Sequence, residues 1–215
     1  MAITFYCGSG SPYAWRVWLS LEHKALPYEL KMLSFSSGDL KTPEFGAINP
    51  RRRVPTIVDH GHAIYESAAI VEYLEDAYPE SGLHLFPTEA RGRARARRLI
   101  LEAGEFVGHP LEAIGDQISK SPDARDAGVL AHARDGFVAE VRVFEKALEG
   151  AFLCGPLQGA ADYTLYPMLA LALRFEKRHP DLRIREALGE AILDWMGRIE
   201  KLRFYDRTYP PHWRT

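Results

Sequence analysis

Arg53-Val54-Pro55-Thr56-Ile57, followed a few residues on by Glu66-Ser67, is the stretch from which the fold of this chain can be worked out. It reads as a turn into a short strand, a hairpin, a second strand and the start of a helix. Pro55 stands where a buried strand should begin. Proline has no N–H to give a sheet and is confined there to first residues, edges and bulges. X-Pro bonds are also the ones that go cis at low cost. A cis Val54-Pro55 bond would turn the Val54 backbone outward, so that its N–H and C=O could pair with an extended peptide. Glu66 offers a carboxylate. Ser67 offers a hydroxyl and a backbone N–H at a helix start, a place that suits an anionic group. Together these parts would hold a small zwitterionic peptide by its backbone and by its amino-acid end.

Working outward, Ile3 to Cys7 is a short β-rich run broken by Gly8-Ser9-Gly10-Ser11. Pro12 follows, suited to the first position of a helix. Trp15, Val17, Trp18, Leu19 and Leu21 then mark a helical stretch from Tyr13 to Lys24. Pro27 ends it, and Tyr28 to Met32 alternates like a strand. Residues 33–50 are irregular, with one helical turn near Thr42–Phe45. Thr56–Asp59 and Ala63–Tyr65 flank His60-Gly61-His62 as a hairpin. Ser67 to Tyr78 is predicted helical, with Ile70, Leu74 and Ala77 on one face and Pro79 as the stop. The order is therefore β-α-β-(α)-β-β-α, and its opening β-α-β unit predicts a parallel crossover.

After Glu80-Ser81-Gly82 the character changes. Helical stretches are predicted from Thr88 to about His109, from Asp126 to Glu149 and from Asp162 to about His179. The last is apolar almost all round (Tyr163, Leu165, Met168, Leu169, Ala172), as a core helix is. Shorter helices follow up to Lys201, then an aromatic, proline-rich tail from Phe204 to Trp213. No strand-like run follows residue 82. The expected division is a mixed α/β domain over 1–80 and an all-helical domain over 88–215.

At 215 residues and 47% hydrophobic composition the chain can bury sizeable cores. A net charge of −2 gives no global field for nucleic acid or membrane. The N-terminus lacks the basic region of a secretory signal, and no apolar run reaches the roughly 18 residues of a membrane span. The two cysteines, Cys7 and Cys154, form no Cys-x-x-Cys pair, and the eight histidines show no metal spacing. The expectation is a protein of the reducing cytoplasm that uses no metal and has neither nucleic acid nor membrane as a partner.

Four pieces in this order resemble the soluble glutathione transferases: Ser11-Pro12-Tyr13-Ala14-Trp15-Arg16-Val17, Asn49-Pro50 with Arg53-Val54-Pro55, Glu66-Ser67, and Gly159-Ala160-Ala161-Asp162. The resemblance covers essentially the whole chain. It implies a thioredoxin-like domain followed by a helical domain, a homodimer, glutathione as co-substrate and a small electrophile as second substrate. One departure is Gly159, where the family usually has Ser or Thr as a helix cap. Asp162 can still reach back to the cap's N–H, and Gly is only a few tenths of a kcal/mol poorer as a cap. Pro167 within the same helix predicts a kink.

By spacing alone, Ser11 is an ordinary helix cap. The resemblance to serine-type members makes it the residue that contacts the glutathione sulfur, stabilising a thiolate near a helix N-terminus by a hydrogen bond. Tyr13, Ser9 and Cys7 are rivals, and Tyr6 is nearest the place where tyrosine-type members carry their hydroxyl. Cys7 reads as a buried, inert strand residue. The same resemblance assigns Glu66 and Ser67 to the γ-glutamyl ammonium and carboxylate, and Val54 to the peptide backbone. Arg53, with Lys41 or Arg52 as alternates, pairs the glycyl carboxylate. Arg51 and Arg52 otherwise read as solvated loop residues. Tyr13, Phe106 and His109, with the tail aromatics Phe204 and Tyr205, are the candidates for the second-substrate wall; packing between helices and tail explains them equally well. The cluster Arg91, Arg93, Arg95, Arg97, Arg98 fans round a helix near Glu102 and Glu105, with no aromatic interleaving of the kind single strands need.

The implied activity is conjugation of glutathione to an electrophilic carbon. A non-catalytic relative using the same fold is one alternative. A glutathione-dependent isomerase of the maleylacetoacetate type is another, although such members carry Ser-Ser-Cys where this chain reads Ser11-Pro12-Tyr13.

Overall fold

The computed structural model describes residues 3–214. The chain packs as two compact units, one running up to Thr88 and taking in the tail from Arg203 onward, the other spanning Glu89–Leu202.

The first unit is built on four strands: β1 (Ile3–Gly8), β2 (Tyr28–Leu33), β3 (Thr56–Asp59) and β4 (His62–Tyr65). Their order is β2-β1-β3-β4. β1 and β2 run parallel, joined by helix α1 (Pro12–His23), while β3 lies antiparallel to both β1 and β4. This is the thioredoxin-like arrangement. β1 is central, and Ile3, Phe5 and Cys7 alternate into the core. β2 is an edge strand, exposed along most of its length. A short helix, α2 (Pro43–Ile48), is capped by Thr42, whose Oγ1 accepts from the Phe45 N–H at 3.2 Å. It extends beyond the single turn expected near Thr42–Phe45.

Helix α1 is buried from Ala14 to His23, on every side. The tail is one reason. Trp15 meets the rings of Tyr205, Tyr209 and Trp213 with centroids 5.5–6.1 Å apart, and its indole N–H donates to Thr208 Oγ1 at 3.1 Å. The tail therefore belongs with the α/β unit rather than with the helices, as the expected 88–215 domain had it. Trp15 and Trp18 need more apolar cover than the sheet alone supplies.

Helix α3 (Ser67–Ala77) buries Ile70, Val71 and Leu74. Ala77, expected on that face, is exposed at the last residue, and Glu75 takes an inward position instead. Lys24 is fully buried and donates to Glu75 Oε2 at 3.2 Å, while the Leu85 N–H donates to the same oxygen at 2.9 Å. Burial alone would push the Glu75 carboxyl up; the Leu85 N–H, His84 and Lys24 overcome it and hold the carboxyl below its ordinary value. A group with a lowered folded pKa adds stability above its unfolded value, and that stability is lost as pH falls. Thermal melts should therefore show wild-type stability declining below about pH 4.5, and the Glu75→Gln variant should lack that part of the acid slope. Parallel slopes in the two proteins would remove Glu75 from the account.

The second unit is helical. Helix α4 (Ala90–Glu102) passes through a π turn at Ala103–Val107 into α5 (Gly108–Ser119). The helix thus continues past His109, the expected end of that stretch. Pro110 falls in the first turn of α5, where a missing N–H matters least. Helix α6 (Ala127–Lys146) starts at Asp126, whose Oδ1 accepts from the Gly128 and Val129 N–H groups. Helix α7 (Ala160–Arg178) is the core element, buried from Ala160 to Leu169 and unbroken through Pro167. Short helix α8 (Ile184–Ala187) and helix α9 (Glu190–Glu200) complete the unit. Among the described residues, no helix is long and apolar enough to cross a membrane.

Candidate functional site

Strand register brings the predicted site together. Tyr6 of β1 pairs with Thr56 of β3, and Thr56 pairs with Tyr65 of β4. Beyond that row, within two residues, the three chains leave the sheet at the same end. They leave as the Gly8–Ser11 turn, as Val54-Pro55 and as Glu66-Ser67. A Cβ added to Gly8 would stand 2.7 Å from Val54 Cγ2 and 2.5 Å from the Phe35 ring, so the first two segments touch.

Ser11 is the N-cap of α1. Its Oγ accepts from the Ala14 N–H at 3.2 Å, and its own N–H donates to the Gly8 carbonyl at 3.1 Å. The second bond closes a tight turn in which Gly10 has φ +80°, the left-handed value that the third position of a type II turn requires. Capping uses one lone pair of the Ser11 oxygen and leaves its O–H proton to be given elsewhere. Both sequence-level readings of Ser11, cap and hydroxyl donor, thus fit one geometry. Cys7 is buried, and desolvation pushes its thiol up to about 12, so it is an inert thiol at neutral pH. Tyr6 is half-buried against Phe45, with ring centroids 5.8 Å apart. Tyr13 is half-buried in the first turn of α1, with the Arg16 guanidinium 5.8 Å from its ring centre. Ser9 shares a 2.6 Å hydrogen bond with His212 Nδ1.

The Val54-Pro55 bond is cis. Among the described residues no backbone hydrogen bond engages the Val54 N–H or C=O. Asn49 shapes this turn from inside. It is buried, its Nδ2 donates to the Arg53 carbonyl at 2.8 Å and to Thr56 Oγ1 at 2.9 Å, and its Oδ1 accepts from the Arg51 N–H. Arg52 donates to the Thr42 carbonyl at 2.9 Å, tying the loop to the segment that carries Lys41. That bond gives Arg52 a structural task in place of the solvated one expected for it. Arg53 and Lys41 are exposed.

Glu66 has φ +68°, outside the range a side-chain-bearing residue normally takes. Such strain is of order 1–3 kcal/mol and gathers at ligand clamps. It leaves the carboxylate exposed at the entrance to α3. Ser67 is buried, and its hydroxyl, read from the sequence as a ligand contact, is turned inward to accept from the Arg16 guanidinium. At the helix start the Ser67 N–H has no carbonyl one turn back within the helix. Arg16 went unassigned in the sequence. Its guanidinium is fully buried, and desolvation pulls its pKa down to about 10, still a cation at neutral pH. No local signal marks it, because the partner that holds it, Ser67, lies 51 positions on.

In the second unit, Phe106 lies in the π turn and is 47% exposed, with His109 exposed just beyond it. Turns of this kind recur at functional positions. In the arginine cluster, Arg95 donates to the Ala147 carbonyl at 2.5 Å and pairs with Glu149, and Arg98 pairs with Glu102. These two arginines bind this chain's own groups.

Comparison with known proteins gives a consistent picture. Residues 10–77 match the family model described as glutathione S-transferase, N-terminal domain. Over 188 residues the chain is 30% identical to glutathione S-transferase A of Pleuronectes platessa, spanning 84% of this chain and 83% of that protein. Over 177 residues it is 32% identical to maleylacetoacetate isomerase of Dictyostelium discoideum, spanning 77% of each. The crystal structure of a glutathione S-transferase from the Antarctic clam Laternula elliptica matches with a TM-score of 0.82 at 29% identity, covering 100% of this chain and 94% of that one.

Proposed function

The chain belongs to the glutathione S-transferase family, and from that premise we propose that glutathione lies along the end of the sheet where the Gly8–Ser11 turn, Val54 and Glu66-Ser67 converge. The protein is a glutathione transferase, with glutathione as co-substrate. The observation that carries the site assignment is the shared register row Tyr6, Thr56, Tyr65, because it makes three distant segments neighbours. The Val54 N–H and C=O pair with the peptide backbone. The Glu66 carboxylate takes the γ-glutamyl ammonium, and the Ser67 N–H, with the Arg16 cation behind it, takes the γ-glutamyl carboxylate. Arg53 and Lys41, on loops tied by Arg52, answer the glycyl carboxylate.

This pose aims the cysteine sulfur at the amino end of α1. Partial positive charge there and the Ser11 O–H both favour the thiolate, and each unit of pKa lowering is worth about 1.4 kcal/mol. The thiol proton leaves to solvent. The sulfur lone pair forms the S–C bond, and the leaving group departs with its bonding electrons. Ser11 stabilises charge and forms no bond to carbon. Tyr13, half-buried in the first turn of α1, is the electrophile-wall candidate of the first unit. The protein works as a homodimer in the cytoplasm; the latter is in keeping with two unbridged cysteines.

Ser11→Ala should lower kcat/KM for an aryl halide by about 10–100-fold while binding of glutathione changes little, the mark of a donor lost in the transition state. Equal rates would remove Ser11 from the chemistry. A folded protein that gives no calorimetric heat with glutathione would remove the site. Several curated relatives are named maleylacetoacetate isomerases, so the same preparation should be assayed for glutathione-dependent cis–trans isomerisation. Turnover there well above aryl-halide conjugation would make isomerisation the main activity.

A further inference from the structure

The tail does more than cover α1. Its 3-10 turn at Pro211–Trp213, closed by the Trp213 N–H donating to the Pro210 carbonyl at 2.9 Å, is anchored by Trp213, which is buried and stands edge-on to Trp15 and Tyr209. That anchor delivers the neighbouring His212 to the loop between β1 and α1. His212 Nδ1 and Ser9 Oγ share a 2.6 Å hydrogen bond across 203 positions of sequence. The ring also lies against Gly10: a Cβ there would stand 2.7 Å from His212 Cε1 and 3.0 Å from Trp213 Nε1. Gly10 thus has two reasons to be glycine, its φ of +80° and the ring pressed on it.

Ser9 and Gly10 are the two central residues of the turn whose closing bond is the Ser11 N–H to the Gly8 carbonyl. On its outer side that turn meets His212 and Trp213 of the tail. We propose that His212 is a positioning residue for Ser11: it clamps Ser9-Gly10 from outside, so that the Ser11 hydroxyl is held on the thiol side of the helix tip and catalysis depends on an ordered tail. This rests on the thiol-activating reading of Ser11. The histidine itself touches neither sulfur nor electrophile in this scheme.

The test combines His212→Ala, Ser9→Ala, the double variant and His212→Asn in the full chain, with two readouts. In aryl-halide conjugation at saturating glutathione, each alanine variant should lose about 3–10-fold in kcat, the scale of one hydrogen bond, with the glutathione KM within about twofold. The double variant should lose no more than either single, because the two residues share one interaction. Asparagine, which can place an amide near the Nδ1 position, should restore most of the rate. Independently of activity, amide exchange in the peptide spanning residues 8–14 should be about tenfold faster in His212→Ala, with the thermal midpoint near that of wild type. Unchanged exchange overturns the proposal, as does a loss confined to KM or alanine effects that multiply. If wild type conjugates, Ser11→Ala is impaired and His212→Ala is not, the positioning role alone fails. If Ser11→Ala is as active as wild type while His212→Ala loosens the turn, the thiol-activating reading fails and the clamp survives as a structural feature.

Discussion

Asp162→Ala is expected to remove about 4–5 kcal/mol from the stability of this protein, a quarter or more of what a domain of ordinary stability has. The carboxylate is wholly buried at the start of α7. Its Oδ1 accepts from the Leu153 N–H at 3.0 Å and from the Trp195 indole N–H at 2.7 Å, and its Oδ2 accepts from the Gly159 N–H at 2.9 Å. Three segments of the helical unit meet on one side chain. Alanine leaves three N–H donors with no acceptor, each worth about 1–3 kcal/mol when stranded out of water, with part recovered by relaxation. Asp162→Asn keeps one good acceptor and should lose about half as much. Denaturant titration measures both, and a loss under about 1 kcal/mol for the alanine variant would show that the cavity admits water.

The same group has a pH signature of opposite sign to that of Glu75. Desolvation pushes the Asp162 carboxyl up to about 6, against the pull of the Leu153, Trp195 and Gly159 N–H groups. The native state therefore holds this proton more tightly than the unfolded chain, whose ordinary value is 3.8. The contribution is full below about pH 4 and is lost as pH rises through about 6. Subtracting the Asp162→Asn stability curve from the wild-type curve should isolate that decline; a difference that instead grows between those pH values would reverse the assignment.

What could be read from the sequence was local. Pro12 after a glycine-rich break, Pro55 at a strand start and Asp126 at a helix start each act within a few residues, and the structure has an element boundary at each. Ser11, Val54, Glu66 and Ser67 were visible for the same reason, and register then gathers them at one sheet end. What escaped was non-local. Arg16 reads as the polar side of an amphipathic helix until Ser67, 51 positions on, is seen to hold it. Lys24 and Glu75 look like surface charges and are a buried pair. The tail aromatics suit a helical domain equally well by composition, and only Trp15 decides where they go. The π turn at Ala103–Val107 has no sequence marker, and the helix expected to end near His109 continues beyond it. The hydroxyl of Ser67 faces inward because a buried guanidinium outbids solvent for it, which a cap pattern alone does not reveal.

Arg16→Met should weaken glutathione binding by about 10–100-fold while costing the fold no more than about 1–3 kcal/mol. Stability and binding separate because the two changes have different physics. Replacing the buried cation by an apolar side chain of similar reach relieves desolvation but leaves the buried Ser67 hydroxyl without its donor, so the gain and the loss oppose each other. Binding loses the cation that holds the Ser67 hydroxyl at the start of α3. The Arg16 guanidinium donates to Ser67 Oγ and interacts electrostatically with Glu66 and Tyr13. It stands one turn along α1 from Ser11, beneath the start of the helix where the γ-glutamyl carboxylate is proposed to sit. With methionine there, the Glu66 carboxylate is the charge nearest the incoming anion and repels it. Lysine restores the charge without the planar fork, so Arg16→Lys should recover part of the affinity. Ser67→Ala separates positioning from field. If Arg16 acts by orienting Ser67, the alanine variant should fall as far as Arg16→Met; if it acts by its charge, Ser67→Ala should bind within about threefold of wild type. Calorimetric titration reads all three variants, and an Arg16→Met protein that binds glutathione as wild type does would show that the anion is held somewhere other than the start of α3.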